Sequence, residues 1–140
     1  MSAALKFTGK VVLVTGSSRG IGAEIARGFA REGATVVVNY LSNAEAAEAV
    51  VAQCQAAGGD AWAVQADVGS PEAVRAMVDG IVQDAGRLDV VVNNALRHYA
   101  FDPRQRTAFD AIGWQDYQSQ FDGAVGAAFN VCRAALPHFK

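Results

Sequence analysis

Residues 11–22 read VVLVTGSSRGIG, in which four aliphatic residues lead directly into a glycine-rich turn. The aliphatic run indicates a β-strand that is covered on both faces. Glycines are needed where a strand turns sharply into a helix, where backbone approaches a phosphate, and where helix and strand touch. The start of the helix then offers unpaired N–H groups to the anion. We predict a dinucleotide site here, shaped by Gly16, Gly20 and Gly22; the alternative is a tight βα turn without a ligand.

The rest of the chain alternates between short strands and helices. Continuous apolar runs predict four strands, at residues 11–14, 35–38, 61–64 and 90–92. Apolar residues spaced by three and four positions predict helices between them, and a fourth helix from about Trp114 to Leu136. A polar loop is expected at 97–113. This order favours a single α/β domain over 1–140: a Rossmann-type, doubly wound parallel sheet between two helix layers, with strand order 3-2-1-4.

The predicted fourth helix is apolar over an unusually wide arc. One stripe of its surface consists of Tyr117, Phe121, Val125, Ala128 and Cys132, and the adjacent flank consists of Ala124, Ala127 and Val131. A helix of this kind is usually buried on two sides. We expect one side to face the sheet and the other to need a partner that the chain does not obviously supply.

Composition narrows the class of protein. The 140 residues include 12 Lys and Arg against 14 Asp and Glu, a net charge of -2 that argues against nucleic-acid binding. No run approaches the roughly 18 apolar residues of a membrane span, and the first ten residues lack the apolar core of a signal peptide. Cys54 and Cys132 fit neither a disulfide scaffold nor a metal site. We expect a soluble, cytoplasmic protein with a small-molecule ligand and no metal, membrane or nucleic-acid partner.

In combination, the motifs resemble the short-chain dehydrogenase/reductase family. The pattern T-G-x-x-x-G-x-G over Thr15–Gly22 is similar to the glycine turn of that family. The pair Asp67-Val68 resembles the residues that members place against the adenine ring. The segment Leu88–Ala95, LDVVVNNA, resembles the fourth strand and its Asn-Asn-Ala-Gly motif, and Trp114 begins a helix similar to the long helix that follows. The narrower resemblance is to the 3-oxoacyl-[acyl-carrier-protein] reductase-like branch.

The resemblance implies an NADP-dependent oxidoreductase that moves a hydride between nicotinamide and a carbonyl or alcohol, with a 3-oxoacyl thioester as the candidate substrate. The residues expected to form and line the phosphate turn are Gly16, Ser17, Ser18, Gly20, Ile21 and Gly22. The candidates for the adenosine ribose and its 2′-phosphate are Arg19, Asn39 and Ser42, with Tyr40 at the same strand end. The residues expected at adenine are Asp67 and Val68, and those expected along the nicotinamide side are Asn93 and Ala95.

The end of the second strand favours NADP(H) over NAD(H). Sites specific for NAD carry an acidic residue there, which accepts hydrogen bonds from the ribose 2′-hydroxyl. Here the strand ends with Asn39 and Tyr40, and no carboxylate follows before Glu45. The Asn39 amide can donate to a 2′-phosphate, so Asn39→Asp is expected to shift preference toward NADH. The Arg19 guanidinium can bind the same phosphate as a fork; a solvated loop cation is the alternative.

The catalytic part of the family pattern does not occur in these 140 residues. Members carry a Ser on the fifth strand and a Tyr-x-x-x-Lys on the next helix, where Tyr acts as the general acid. Tyr40, Tyr99 and Tyr117 are followed four residues later by Ala, Pro and Phe. No catalytic residue is therefore assigned. Related domains run to roughly 250 residues, so the resemblance implies the first half of such an enzyme, inactive as a reductase by itself.

Two positions depart from the family pattern. Leu96 stands where Gly is expected and adds bulk at the nicotinamide end. Ala124, ten residues after Trp114, stands where many members have an active-site Asn whose backbone carbonyl supports a proton-relay water. We expect these changes to affect the relay and to leave cofactor binding intact.

Two further interpretations belong to other classes. The first is a dinucleotide-binding fragment or regulatory module without chemistry, and the second is a flavodoxin-like domain, which the form of the glycine turn disfavours. For partners, we expect a homo-oligomer, dimer or tetramer, in the full-length protein. Arg97, Arg104 and Arg106 could contact an acidic acyl carrier; ordinary solvation of an exposed loop is the alternative.

Overall fold

Four parallel strands form the centre of the structure, a computed structural model that describes residues 3–96 and 102–139. The strands are β1 (Val11–Val14), β2 (Thr35–Tyr40), β3 (Asp60–Gln65) and β4 (Val90–Val92). Their order is β3-β2-β1-β4, so the predicted 3-2-1-4 sheet is confirmed. β1 lies in the interior of the sheet, pairing Val14 with Val38 of β2 and with Val92 of β4.

Helices cover both faces of the sheet. They are α1 (Gly20–Arg31), α2 (Ala44–Ala56), α3 (Pro71–Ala85), α4 (Trp114–Phe121) and α5 (Ala127–Ala135). Because successive strand residues point to opposite faces, β1 contributes to two cores. Val12 and Val14 pack in the cluster that includes α1 and α2, whereas Val11 and Leu13 pack in the cluster that includes α3 and α5. The two helix layers of the predicted Rossmann-type fold are therefore present.

The region predicted as a fourth helix is helical throughout but changes its hydrogen-bond pattern in the middle. A π-helical turn at Asp122–Gly126 separates α4 from α5, and a 3-10 turn at Leu136–His138 follows α5. The π turn contains Gly123 and Gly126, and glycine is the weakest helix former after proline. Each extra residue in such a turn also rotates the side chains that follow it relative to a regular helix. The helix predicted from about Trp114 to Leu136 is therefore present along that range, and only the π turn within it was not predicted.

The two apolar sides of this region have different surroundings. The flank packs inward: Ala127 and Val131 are buried, as is Ala135 further along α5, and Ala124 is half-buried. The stripe faces outward: Tyr117, Phe121 and Val125 are each about half exposed or more. Among the described residues, these three side chains of the stripe are therefore left largely uncovered.

The amino end of β4 is fixed by a charged group. The Asp89 carboxylate accepts a hydrogen bond from the Val11 N–H at 2.8 Å and pairs with the Arg87 guanidinium at 2.7 Å. The hydrogen bond from Arg87 is the main reason that the pKa of Asp89 lies below its ordinary value. Charge and backbone together thus hold the first residues of β1 and β4 side by side.

The loop predicted at 97–113 is described from residue 102 onward. Its residues are largely exposed and include a 3-10 turn at Phe109–Ala111. Arg104 pairs with Asp102, and Arg97 lies outside the described residues. Within the described ranges, no helix is both long and apolar enough to cross a bilayer. The same residues contain no group of three or more His, Cys, Asp and Glu placed to hold a metal ion.

Candidate functional site

The candidate site lies at the carboxyl ends of the strands, between β1 and β4. Within the sheet, β2 is the neighbour of β1 on one side and β4 is its neighbour on the other side, so the chain connections change direction at β1. Such a switch in direction opens a crevice outside the strand ends, where doubly wound proteins bind their ligands. The glycine turn of residues 15–19 runs from β1 to α1 beside this crevice.

Thr15 joins the ends of β1 and β4. Its backbone N–H donates to the Val92 carbonyl at 3.1 Å, and its hydroxyl donates to the same oxygen at 3.3 Å. The hydroxyl oxygen also accepts from the N–H groups of Asn94 at 3.1 Å and Ala95 at 3.0 Å. With 2% of its surface exposed, Thr15 is a fully bonded internal group. It fixes the segment after β4 relative to the glycine turn.

Asn94 completes this connection from the other side. Its side-chain amide donates to the carbonyls of Thr15 at 3.1 Å and Gly16 at 3.0 Å. The sequence prediction named Asn93 and Ala95 on this segment and missed both Thr15 and Asn94. The position of Thr15 directly before the first glycine and the doubled Asn after β4 were the available signals.

Two glycines make the close approach of turn, helix and β4 segment sterically feasible. Gly16 has φ +60°, and a Cβ there would lie 2.9 Å from the Ala95 Cα. A Cβ on Gly22 would lie 2.5 Å from the Asn94 amide nitrogen and 2.6 Å from the Gly16 carbonyl oxygen. A side chain at either position would therefore push the turn away from Asn94 and Ala95.

The amino end of α1 has the features of an anion site. No side chain caps this helix, and its first turn has no acidic residue. By contrast, Asn43 caps α2 and Ser70 caps α3, and each of those helices has a Glu in its first turn. A Cβ built on Gly20 would meet nothing within 4 Å. Backbone N–H groups, a positive helix end and open space together fit a pyrophosphate group.

Asn39 does not face this space. Its side chain is 2% exposed. Its Oδ1 accepts from the Gly16 N–H at 3.1 Å, and its Nδ2 donates to the carbonyls of Val64 at 3.3 Å and Ala66 at 3.2 Å. The prediction that this amide donates to a 2′-phosphate is wrong for the described structure, because both amide hydrogens are already used. Asn39 instead joins the glycine turn to β2 and to the end of β3.

Ser17 is also directed inward. Its side chain is fully buried, and its hydroxyl donates to the Val14 carbonyl at 2.7 Å. Its backbone N–H donates to the Asn39 carbonyl at 2.9 Å. The expectation that Ser17 lines the phosphate space therefore needs correction: the residue shapes the turn from inside.

The other candidates at the glycine turn and the end of β2 remain accessible. Ser18 and Tyr40 are half-buried, whereas Arg19, Ser42 and Ile21 are exposed, Ile21 by 76%. Ser42 directly precedes the residue that caps α2.

The adenine and nicotinamide candidates lie on two separate segments. Asp67 is exposed and Val68 is half-buried on the segment that joins β3 to α3. Asn93 is exposed, and its amide lies 3.3 Å from the Cys132 sulfur on α5. Ala95 is half-buried beside Gly16. The segments that carry these residues lie at the carboxyl ends of opposite outer strands, β3 and β4.

The structure also shows where the two residues that depart from the family pattern lie. Leu96 is 74% exposed at the end of the first described range. Ala124 is half-buried within the π turn between α4 and α5. Sequence reasoning thus identified both positions, although it did not anticipate the π turn.

Comparison with known proteins gives a consistent result. A family model described as short chain dehydrogenase matches residues 10–140. The 3beta-hydroxysteroid dehydrogenase 1 of Eggerthella lenta is 42% identical over 131 residues, covering 94% of this chain and 48% of that protein. The 3-oxoacyl-[acyl-carrier-protein] reductase of Staphylococcus aureus is 51% identical over 86 residues, which cover 61% of this chain and 35% of that protein.

A similar fold is also found among solved structures. The crystal structure of a short chain dehydrogenase from Burkholderia cenocepacia in complex with NADP superposes with a TM-score of 0.81 at 39% identity, covering 98% of this chain and 53% of that one. Some curated relatives match nearly all of this chain, and the chain spans about half of their length.

Proposed function

The chain belongs to the short-chain dehydrogenase family, and on this premise we propose that it is the cofactor-binding half of an NADP-dependent reductase. The proposed reaction is hydride transfer between the nicotinamide ring and a carbonyl or alcohol. One observation carries the proposal: the uncapped amino end of α1 opens onto a glycine turn that Thr15 and Asn94 hold in place. When bound, the nicotinamide supplies or accepts the hydride, and the residues described here bind and orient the cofactor.

The proposed contacts with the cofactor are made mainly by the accessible groups of the candidate site. The amino end of α1 would hold the pyrophosphate, with Ser18, Gly20 and Ile21 around it. The proposed adenosine ribose and 2′-phosphate contacts are Arg19, Tyr40 and Ser42, and the proposed adenine contacts are Asp67 and Val68. The proposed nicotinamide contacts are Asn93 and Ala95. Gly16, Ser17, Gly22 and Asn39 would act from behind the turn, since their roles in the structure are steric or internal.

The preference for NADP(H) rests on charge at the end of β2. Tyr40 ends β2, and no carboxylate occurs between it and Glu45. A carboxylate at this place would repel a 2′-phosphate and would favour the free 2′-hydroxyl of NAD. The exposed cation of Arg19 lies at the N-cap of α1, on the same edge of the sheet. The relative that is described in complex with NADP supports this preference.

Arg19→Ala tests the cofactor assignment in the complete protein. A hydrogen bond to a charged group contributes about 1.5–3 kcal/mol, so NADPH affinity should fall about 10- to 150-fold. NADH affinity should stay almost unchanged because that cofactor lacks the 2′-phosphate. Arg75→Ala, which removes an exposed cation from α3, is the matched control. Titrations of both cofactors by calorimetry give the comparison, and an equal loss for NADPH and NADH would disprove the phosphate assignment.

The substrate proposal is broader than one compound. A 3-oxoacyl thioester is the first substrate to assay, supported by the Staphylococcus aureus relative. The steroid dehydrogenase of Eggerthella lenta is similar over more of the chain, and the shared residues lie in the part that would bind the cofactor. The general proposal is therefore a small carbonyl or alcohol substrate. Contact of the exposed Arg104 and Arg106 with an acidic acyl carrier stays a prediction.

We also propose that the complete protein forms a homo-oligomer. The outward stripe of α4 and the π turn leaves Tyr117, Phe121 and Val125 exposed, by 49%, 64% and 50%. Aromatic and aliphatic side chains in this arrangement are typical of a surface that is covered in the assembled protein. The complete protein would therefore be a dimer or tetramer.

A second candidate function is a dinucleotide-binding module without reductase chemistry. Its support comes from Leu96 and Ala124, which depart from the family pattern on the nicotinamide side while the glycine turn is intact. The two candidates differ in turnover. A complete protein that binds NADPH and oxidises it with carbonyl substrates is the proposed reductase, whereas NADPH binding without turnover on any tested ketone or thioester would favour the module.

A further inference from the structure

Asn130 connects α5 to the segment that follows β3. Its side-chain amide nitrogen donates to the Val68 carbonyl at 3.0 Å, across 62 residues of sequence. Asn130 is half-buried and lies next to the buried Val131 on α5. The function proposed above does not use this residue.

The segment begins at Ala66, which is bonded to Tyr40 and Asn39 of β2. Beyond Ala66, the other hydrogen bonds described for the segment are local. The Asp67 carboxylate accepts from the Gly69 N–H at 2.8 Å, and the Asp67 carbonyl accepts from the Ser70 N–H at 3.0 Å. The Ser70 hydroxyl then accepts from the Ala73 N–H at the start of α3. These bonds fix the shape of the turn, whereas the bond to Val68 fixes its position against a distant element.

We propose that Asn130 is a positioning residue for the adenosine part of the cofactor. It would act through Val68 without touching the cofactor, and the inference rests on the proposed function, in which Asp67 and Val68 contact adenine. If the amide is removed, the half-buried Val68 carbonyl loses its donor. The peptide group can then rotate toward water, which moves the Val68 side chain and the Asp67 carboxylate beside it.

The packing of α5 makes this role separable from general stability. Ala127, Val131 and Ala135 are each at most 4% exposed and anchor α5 to the core. Loss of the Asn130 amide removes none of these apolar contacts. The consequence should therefore appear at the segment after β3, and so in the binding of adenosine, more than in the fold as a whole.

Two variants of the complete protein test the proposal. Asn130→Ala removes the amide, and Asn130→Asp keeps its size but replaces the donor with a carboxylate. Arg133→Gln is the matched control, since Arg133 is exposed on the same helix with its guanidinium against the Phe129 ring. The measurements are the dissociation constants of NADPH and of 2′,5′-ADP, which carries only the adenosine half, and kcat and KM for NADPH.

The loss of one neutral hydrogen bond predicts an affinity about two- to tenfold lower for both NADPH and 2′,5′-ADP in both Asn130 variants. KM for NADPH should rise by a similar factor while kcat stays within about twofold, and Arg133→Gln should behave as wild type. A merely structural role would not give this division between KM and kcat.

The outcomes separate the inference from the function on which it rests. A wild-type protein that binds neither NADPH nor 2′,5′-ADP overturns the proposed function, and the inference with it. Wild-type binding together with unchanged affinities in the Asn130 variants overturns the inference alone. So does failure of both variants to fold, or a fall in kcat as large as the rise in KM.

Discussion

At the scale of single residues, the side chains that shape the glycine turn are not those that would meet a ligand. Thr15, Asn39 and Asn94 together use their side chains for hydrogen bonds within the protein. They fix carbonyl and N–H groups of the turn from behind. The surface that remains in front consists of backbone and of exposed groups such as Arg19.

The sequence predicts where these residues lie better than where they point. The glycine spacing correctly located the turn, because only glycine allows the φ of Gly16 and the close approach at Gly22. It could not show that Asn39 faces inward. A polar residue at the end of a strand can turn either toward the crevice or toward neighbouring carbonyls, and that choice depends on the ends of β2 and β3, which are distant in sequence from the turn.

The inward orientation of the Asn39 side chain changes the expected effect of Asn39→Asp. The Asp would place a carboxylate against the carbonyl oxygens of Val64 and Ala66, which now receive hydrogen bonds. A buried acceptor left without a donor costs about 1–3 kcal/mol. We therefore expect the free energy of unfolding to fall by about that amount, with NADPH and NADH affinities reduced together. Urea denaturation and cofactor titrations check this, and unchanged stability with a reversed cofactor preference would contradict it.

At the scale of elements, β4 is three residues long and depends on bonds at both of its ends. Thr15 accepts hydrogen bonds from the segment after β4, and Asp89, the residue before β4, accepts one from the Val11 N–H. The strands were well predicted because parallel strands that helices cover on both faces are continuous apolar runs. The π turn within the fourth helical region was not predicted, since a π turn changes the register of a periodic pattern without removing its apolar residues.

Asp89→Asn tests the charged end of β4. The pKa of Asp89 is lowered in the folded protein, chiefly by its hydrogen bond from Arg87. The ionised form therefore stabilises the fold above the unfolded pKa of about 3.9, and this contribution is lost as the pH falls through the lower folded pKa. We expect the variant to be about 1 kcal/mol less stable at pH 7. Urea denaturation should show this difference narrowing as the pH falls from 6 to 3, and a constant difference would contradict the assignment.

At the scale of the whole molecule, the order β3-β2-β1-β4 places the candidate adenine and nicotinamide segments on opposite sides of the glycine turn. This arrangement was predictable, because the alternation of strands and helices and the right-handed connections leave few topologies. The chemistry of the substrate was not. The residues present here would bind a cofactor, and no Tyr-x-x-x-Lys occurs among the 140 residues, so inactivity of this chain by itself stays a prediction.

The central claim is that the complete protein binds a nicotinamide dinucleotide against the glycine turn, and a pair of glycine variants tests it most directly. Gly22→Ala would place a Cβ 2.5 Å from the Asn94 amide nitrogen, whereas a Cβ on Gly80, in α3, meets nothing within 4 Å. By calorimetry, wild type and Gly80→Ala should bind NADPH equally, and Gly80→Ala should be stabilised by up to about 1 kcal/mol. Gly22→Ala should lose at least about tenfold in affinity while remaining folded. NADPH binding that is equal in all three proteins, or absent from wild type, would contradict the account.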